Sequence, residues 1–95
     1  MNNVKQLGKL DSMLLRFSLG ERHHRFTAEG VGDHTLHSTV SDLQKRYGIY
    51  FAREWVEVPT RFGGTTRVKK YWLEGEHLEK AQRIAAALKE KPTKA

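Results

Sequence analysis

Residues 33–73 contain a helical pattern followed directly by two strand-like runs, and this order restricts the folds that the chain can adopt. The apolar positions of the helical pattern recur at i, i+4, i+7 and i+11, as Leu36, Val40, Leu43 and Tyr47. This spacing places them on one face of a helix that packs on a core. Asp33 or Thr35 can cap its start, and Gly48 can take the left-handed conformation that ends many helices. The sequence therefore predicts a helix over about residues 35–47.

The residues that follow this helix have the composition of a β-hairpin. Residues 50–58 and 66–73 are rich in aromatic and β-branched side chains, which favour extended structure. Pro59 ends the first run, and the connection over residues 60–65 contains two glycines that suit a hairpin loop. The pattern predicts two antiparallel strands joined by this loop.

Three further helices complete the predicted fold. Apolar residues at three- and four-residue steps indicate a helix over about residues 4–18, and a similar pattern indicates a last helix over residues 76–89. Between the first helix and residue 33, a very short helix is expected to start near Phe26, with Thr27 as its cap. The expected class is α+β, with three N-terminal helices, a two-stranded hairpin and a C-terminal helix in one domain over residues 1–89. The lysine-rich residues 90–95 are expected to be disordered.

Composition narrows the functional classes. Ninety-five residues suffice for one compact domain. A net charge of +6 and a pI near 9.8 indicate a polyanionic partner, with nucleic acid ahead of an anionic membrane surface. No run approaches the roughly eighteen apolar residues of a membrane span, and the N-terminal residues lack the apolar centre of a secretory signal. We therefore expect a cytoplasmic protein.

The side of the third helix opposite its apolar stripe carries the residues that we expect to face DNA bases. They are short polar groups and one cation: His37, Ser38, Ser41, Gln44 and Lys45. Such side chains can exchange hydrogen bonds with base edges in a groove. An ordinary solvated face is the alternative, but that would often carry pairs of Glu and Lys, and here only Asp42 is acidic.

The predicted hairpin is the second candidate surface. Its cations and its loop residues are expected to contact phosphates: Arg61, Phe62, Gly63, Gly64, Arg67, Lys69 and Lys70, with Arg22 and Arg25 of the first connector as weaker candidates. An exposed Phe62 flanked by cations suits a groove edge or a sugar. The alternative is that Phe62 folds back onto Trp55 or Trp72, and those tryptophans are most simply explained by packing.

Metal binding and catalysis have little support in the sequence. Glu21, His23 and His24 lie on one connector, with His34 and His37 further along, but adjacent histidines converge poorly on one ion. The chain has no cysteine, which excludes disulfides and cysteine-ligated zinc. Because no nucleophile elbow, acid pair or phosphate-binding glycine loop occurs, we expect neither an enzyme nor a bound metal or cofactor.

The segments STVSDLQKRYGI and EWVEVPTRFGGTTRVKKYWL resemble the small helix-turn-helix proteins of phages and prophages. The resemblance covers roughly residues 10–73. It implies a winged helix-turn-helix domain of bacterial or phage origin that binds DNA, and we expect a phage or prophage regulator of transcription or replication that binds double-stranded DNA. On this resemblance the third helix is the recognition helix and residues 60–65 are the wing.

Two other partners stay open at this point. A small phage protein can use the same scaffold to bind and inhibit a host protein or a host defence complex, with Phe62 and the last helix as anchors. RNA is a third possible ligand. The last helix over residues 76–89 either covers the domain or pairs with its copy in a homodimer.

Overall fold

The computed structural model describes residues 8–90, and the side chains of residues 8–88. Within this range it contains four helices and one antiparallel hairpin, in the order α1 (Lys9–Ser18), α2 (Arg25–Gly30), α3 (Leu36–Tyr47), β1 (Ala52–Pro59), β2 (Thr65–Trp72) and α4 (Gly75–Glu90). The predicted α+β class and element order are confirmed. Residues 1–7 and 91–95, which include the expected start of the first helix and most of the expected tail, lie outside the described residues.

The starts of the first two helices differ from the sequence prediction. α1 begins at Lys9, after an extended Gly8. α2 begins at Arg25, and its cap is His24, so the prediction of Thr27 as the cap is wrong. The His24 imidazole Nδ1 accepts from the Phe26 backbone N–H at 3.2 Å, and the Thr27 hydroxyl accepts from the His24 N–H at 3.0 Å. The two residues thus cap the helix reciprocally, an arrangement in which Thr27 is the inner partner.

α3 has the predicted boundaries and the predicted buried face. Leu36, Val40 and Leu43 are buried, and Gly48 adopts a φ of +67° at the end of the helix. A β-carbon is strained in this conformation, which explains the glycine stop. Tyr47, the last residue of the apolar stripe, is half-buried and donates a hydrogen bond of 2.6 Å from its hydroxyl to an Asp11 carboxylate oxygen. This bond ties α3 to α1.

The turn before α3 is organised by a buried carboxylate. Asp33 is 1% exposed, and its Oδ1 accepts from the Thr35 backbone N–H at 2.9 Å. Lys9 Nζ lies 3.4 Å from the same oxygen. Burial alone would raise the pKa of Asp33, but the Thr35 hydrogen bond and the Lys9 charge bring it below its ordinary value. Of the two expected caps, Asp33 therefore supplies the side-chain acceptor.

The hairpin is held against the helices at its base. Backbone hydrogen bonds from His23 N to Tyr71 O and from Tyr71 N to His23 O, at 3.0 and 2.8 Å, attach the connector between α1 and α2 to the free edge of β2. Under this bridge the Phe17 ring meets the ring of Phe51 edge-on at 4.8 Å. Both phenylalanines are fully buried, so the core lies where α1, α3 and the hairpin base converge.

α4 packs along α1. Its buried positions are Ala81 and Ala85, and its larger apolar residues, Leu78, Ile84 and Leu88, are half-buried against the same core. Gln82 Nε2 donates to the Ser18 backbone oxygen at 3.3 Å. The apolar stripe of the last helix therefore covers the domain.

Candidate nucleic-acid interface

The outer side of α3 presents most of the side chains that the sequence assigned to base contacts. His37, Ser38 and Lys45 are exposed, and Ser41 is half-buried between them. The helix repeat places Ser38, Ser41 and Lys45 opposite the buried stripe, with His37 on the flank that faces the hairpin. These four residues form one polar surface, which we call the outer face of α3.

Gln44 does not belong to that face. Its Oε1 accepts from the buried Phe51 backbone N–H at 3.2 Å and from the Arg53 guanidinium at 2.5 Å. Arg53 in turn donates to the Phe51 backbone oxygen and lies over the Tyr71 ring, 5.1 Å from its centroid. Gln44 therefore joins α3 to β1 in the structure, and a role in base contact would require these bonds to break.

The register of the hairpin decides which cations share a surface with α3. Trp55 pairs with Lys69 across the strands, and opposed residues share a face. Arg67 lies two residues before Lys69 and so is on that face as well, together with Glu57, its partner across the strands. Both cations lie over the Trp55 ring, each 5.1 Å from its centroid. We call Trp55, Arg67 and Lys69 the cationic face of the hairpin.

Trp55 belongs to this surface, although the sequence interpretation did not include it. It was assigned to packing together with Trp72, but 56% of it is exposed. The available signal was the strand alternation, which places Trp55 on the face of Arg67 and Lys69. Two cations over one indole are held near its surface by cation–π attraction, which limits their motion.

A cleft of about 340 Å³ lies between α3, α2 and the cationic face of the hairpin. Its apolar lining residues are Leu36, Val68 and Tyr71, and its polar or aromatic ones are Arg25, His37, Trp55, Arg67 and Lys69. Side chains from three elements thus meet at one surface depression. Arg25, expected only as a weaker phosphate contact, is part of this cleft.

Two of the expected phosphate contacts lie elsewhere. Lys70 pairs with Glu54 on the opposite face of the hairpin, because neighbouring strand residues point to opposite sides. Burial of His24 lowers its pKa below the ordinary value, and the positive charge of Lys70 on this face lowers it further. Arg22 lies over the Trp72 ring at 4.5 Å, and Trp72 is on that face too. The structure therefore does not bring Lys70 and Arg22 to the cleft.

The hairpin loop projects Phe62 into solvent. Phe62 is 91% exposed, so it does not fold back onto Trp55 or Trp72, and that alternative is wrong. The Thr60 N–H donates to the Gly64 carbonyl at 2.8 Å, and the Gly64 N–H donates to the Thr60 hydroxyl at 3.2 Å. Gly63 adopts a φ of +96°, which requires glycine or strains any other residue.

The histidines of the first connector have structural contacts. His23 is buried, with Nε2 2.7 Å from Glu21 Oε1 and Nδ1 3.0 Å from the Thr27 hydroxyl. The hydrogen bond to His23 lowers the pKa of Glu21, assisted by Arg16. Within residues 8–90, no three His, Asp or Glu side chains converge in a way that could hold a metal ion.

Comparison of the chain with protein-family models, with characterised proteins and with solved structures finds no match. Among the helices that the structure describes, none combines the length and apolar character needed to cross a bilayer.

Proposed function

We propose that this protein binds double-stranded DNA with the outer face of α3 and the cationic face of the hairpin together. The observation that carries the proposal is the shared cleft, in which Arg67 and Lys69 of β2 meet His37 of α3 and Arg25 of α2. A duplex presents base edges in its grooves and phosphates along both rims. A polar helix surface beside a row of cations is complementary to that arrangement.

The dimensions of α3 suit a major groove. An α-helix with its side chains is about 10–12 Å across, and the groove is about 12 Å wide, so the twelve residues of α3 can lie along it. With α3 in the groove, Ser38, Ser41 and Lys45 point toward base edges. Arg67 and Lys69 then lie beside the helix, where the phosphates of the groove rim run.

The order of elements, with the hairpin directly after α3, is compatible with a winged-helix layout. We extend the proposal to a winged helix-turn-helix protein in which α3 is the recognition helix and residues 60–65 are the wing. The resemblance to small phage and prophage proteins favours a regulator of transcription in a bacterial cell. Binding of the chain to the region upstream of its own gene tests this extension.

Salt dependence tests the DNA contact. Fluorescence anisotropy with a labelled mixed-sequence duplex gives the affinity at several salt concentrations. Arg67→Ala/Lys69→Ala should weaken binding to every sequence and reduce the log–log salt slope by about 0.9 for each phosphate that the variant no longer neutralises. The matched control, Lys70→Ala/Arg83→Ala, removes the same charge from the opposite hairpin face and from α4. Equal slopes for the two double variants would refute the proposed surface.

A second candidate function is inhibition of a host protein or defence complex. The observation that favours it is Phe62, since a fully exposed aromatic side chain is a typical anchor in protein interfaces. A protein of this kind leaves free duplex unbound at low salt and co-purifies with a host component. Competition between matched DNA and RNA duplexes in the same assay separates an RNA ligand from DNA.

A further inference from the structure

The hairpin loop displays an aromatic side chain that the fold itself does not use. Val68 is the last buried residue of β2 toward the loop, and its partner is Val56. Three more pairs follow, ending at Pro59 and Thr65, so the loop begins on the order of 10 Å beyond the last buried pair. Phe62 therefore lies well away from the core.

The loop closes through groups that do not include the Phe62 side chain. Its bonds join Thr60 to Gly64, and Gly63 supplies the left-handed turn. Other residues could occupy position 62 and leave these bonds intact. A single exposed apolar residue is common on protein surfaces, but here it is a phenylalanine at the point of a hydrogen-bonded loop.

The charge around Phe62 selects its ligand. No Asp or Glu occurs between Glu57 and Glu74, whereas Arg61, Arg67, Lys69 and Lys70 all lie in that stretch. The nearest residue, Arg61, is exposed beside Phe62. A polyanion is therefore attracted to the loop, and the apolar surface inside a polyanionic duplex is the stack of its bases.

We infer that the Phe62 side chain inserts as a wedge between two stacked base pairs of the bound duplex, an inference that rests on the proposed function. Apolar side chains that enter a base step partly unstack it and kink the duplex by roughly 20–90°. The slender loop with its two glycines can enter the minor groove, which is about 6 Å wide. Arg61 then contacts a phosphate next to the opened step, and the protein bends the DNA it binds.

The test uses the full chain and short duplexes that carry a central 2-aminopurine and a donor–acceptor pair at their ends. One duplex has a flexible TA step at its centre, and the other has a stiff A-tract. The wild-type chain should raise 2-aminopurine fluorescence, shorten the end-to-end distance and prefer the TA duplex. Phe62→Ala should abolish the fluorescence change and the bend, with affinity lowered about 10-fold.

Two further variants separate wedging from a general weakening of binding. Phe62→Leu keeps an apolar side chain of useful length and should retain most of the bend. Arg61→Ala should lower affinity and the salt slope, while the bound duplex stays bent. Because Phe62 is 91% exposed, its replacement does not disturb the core.

The outcomes distinguish this inference from the proposed function. If the wild-type chain binds no duplex at low salt, both fail. If wild type and Phe62→Ala bind with equal affinity and equal bend, the wedge is overturned while DNA binding stands. If Phe62→Ala instead no longer co-purifies with a host protein and its DNA binding is unchanged, Phe62 is a protein anchor and the wedge is likewise overturned.

Discussion

Replacement of Gln44 by alanine should destabilise the protein, although the residue lies on the helix that we propose reads DNA. The change removes one acceptor that serves two donors, the Phe51 backbone N–H and the Arg53 guanidinium. A hydrogen bond between neutral groups contributes about 1 kcal/mol, and one to a charged group about 1.5–3 kcal/mol. Arg53 is half-exposed and keeps its bonds to the Phe51 oxygen, so the loss of its bond to Gln44 costs less than these values, and the expected destabilisation is about 2 kcal/mol in all.

Urea denaturation followed by tryptophan fluorescence measures this destabilisation. For a domain of this size, about 2 kcal/mol corresponds to a fall in Tm of roughly 8–16 °C. Gln44→Glu is the informative partner variant, because a carboxylate can accept from both donors and pair with Arg53. It should keep the stability of the wild type while its negative charge weakens DNA binding.

Ser38→Ala is the control on the same helix. Ser38 is exposed, and its replacement should change the free energy of unfolding by no more than about 0.5 kcal/mol. The reasoning fails if Gln44→Ala unfolds with the same free energy as Ser38→Ala. It also fails if Gln44→Glu is as unstable as Gln44→Ala, since the carboxylate would then not replace the amide oxygen.

Two more predictions concern stability. Because burial, followed by the charges of Lys70 and His23, lowers the pKa of His24, the folded state resists protonation of this cap. The free energy of unfolding should therefore fall as the pH drops below about 6.5 and through the pKa of folded His24. His24→Asn caps the helix without titrating, so denaturation curves at pH values of about 7 and about 5 should lack the loss of stability that comes from His24. Tyr47→Phe removes the donor to the Asp11 carboxylate and should cost about 1.5 kcal/mol in urea denaturation near neutral pH, where burial and this bond keep the tyrosine protonated by raising its pKa. An identical pH profile for His24→Asn, or an unchanged midpoint for Tyr47→Phe, would contradict these assignments.

The regular elements were predictable because each has a local signal. The stripe from Leu36 to Tyr47 has the period of a helix, and Gly48 marks its end by a conformation that few other residues adopt. The aromatic and β-branched residues on either side of the glycine-containing loop were an equally clear signal for two strands. These patterns depend on residues a few positions apart, and the tertiary packing of this fold is consistent with them.

The contacts that shape the candidate site depend on side-chain geometry and strand register, which leave no periodic signal in the sequence. Gln44 looks like any polar residue on a helix, and the positions of the Phe51 N–H and of Arg53 turn it inward. His24 caps α2 because its ring nitrogen reaches the backbone N–H two residues ahead, a geometry that is rarer than a threonine cap. Trp55 was assigned to packing, yet it is exposed, and the hairpin register places it on the face of Arg67 and Lys69.

These inward contacts also bear on DNA binding, because they fix the angle between the two proposed surfaces. α2 packs against both α3 and β2, and Gln44 with Arg53 links α3 to β1 from the other side. A duplex is rigid over the length of one groove, so a helix and a hairpin can contact it together only if their relative position is set beforehand. Removal of the Gln44 link should therefore reduce the affinity for duplex even at temperatures where the variant is fully folded. The loss of binding free energy in the variant that combines Gln44→Ala with Arg67→Ala/Lys69→Ala should then be smaller than the sum of the two separate losses, because a loosened hairpin already makes its phosphate contacts poorly.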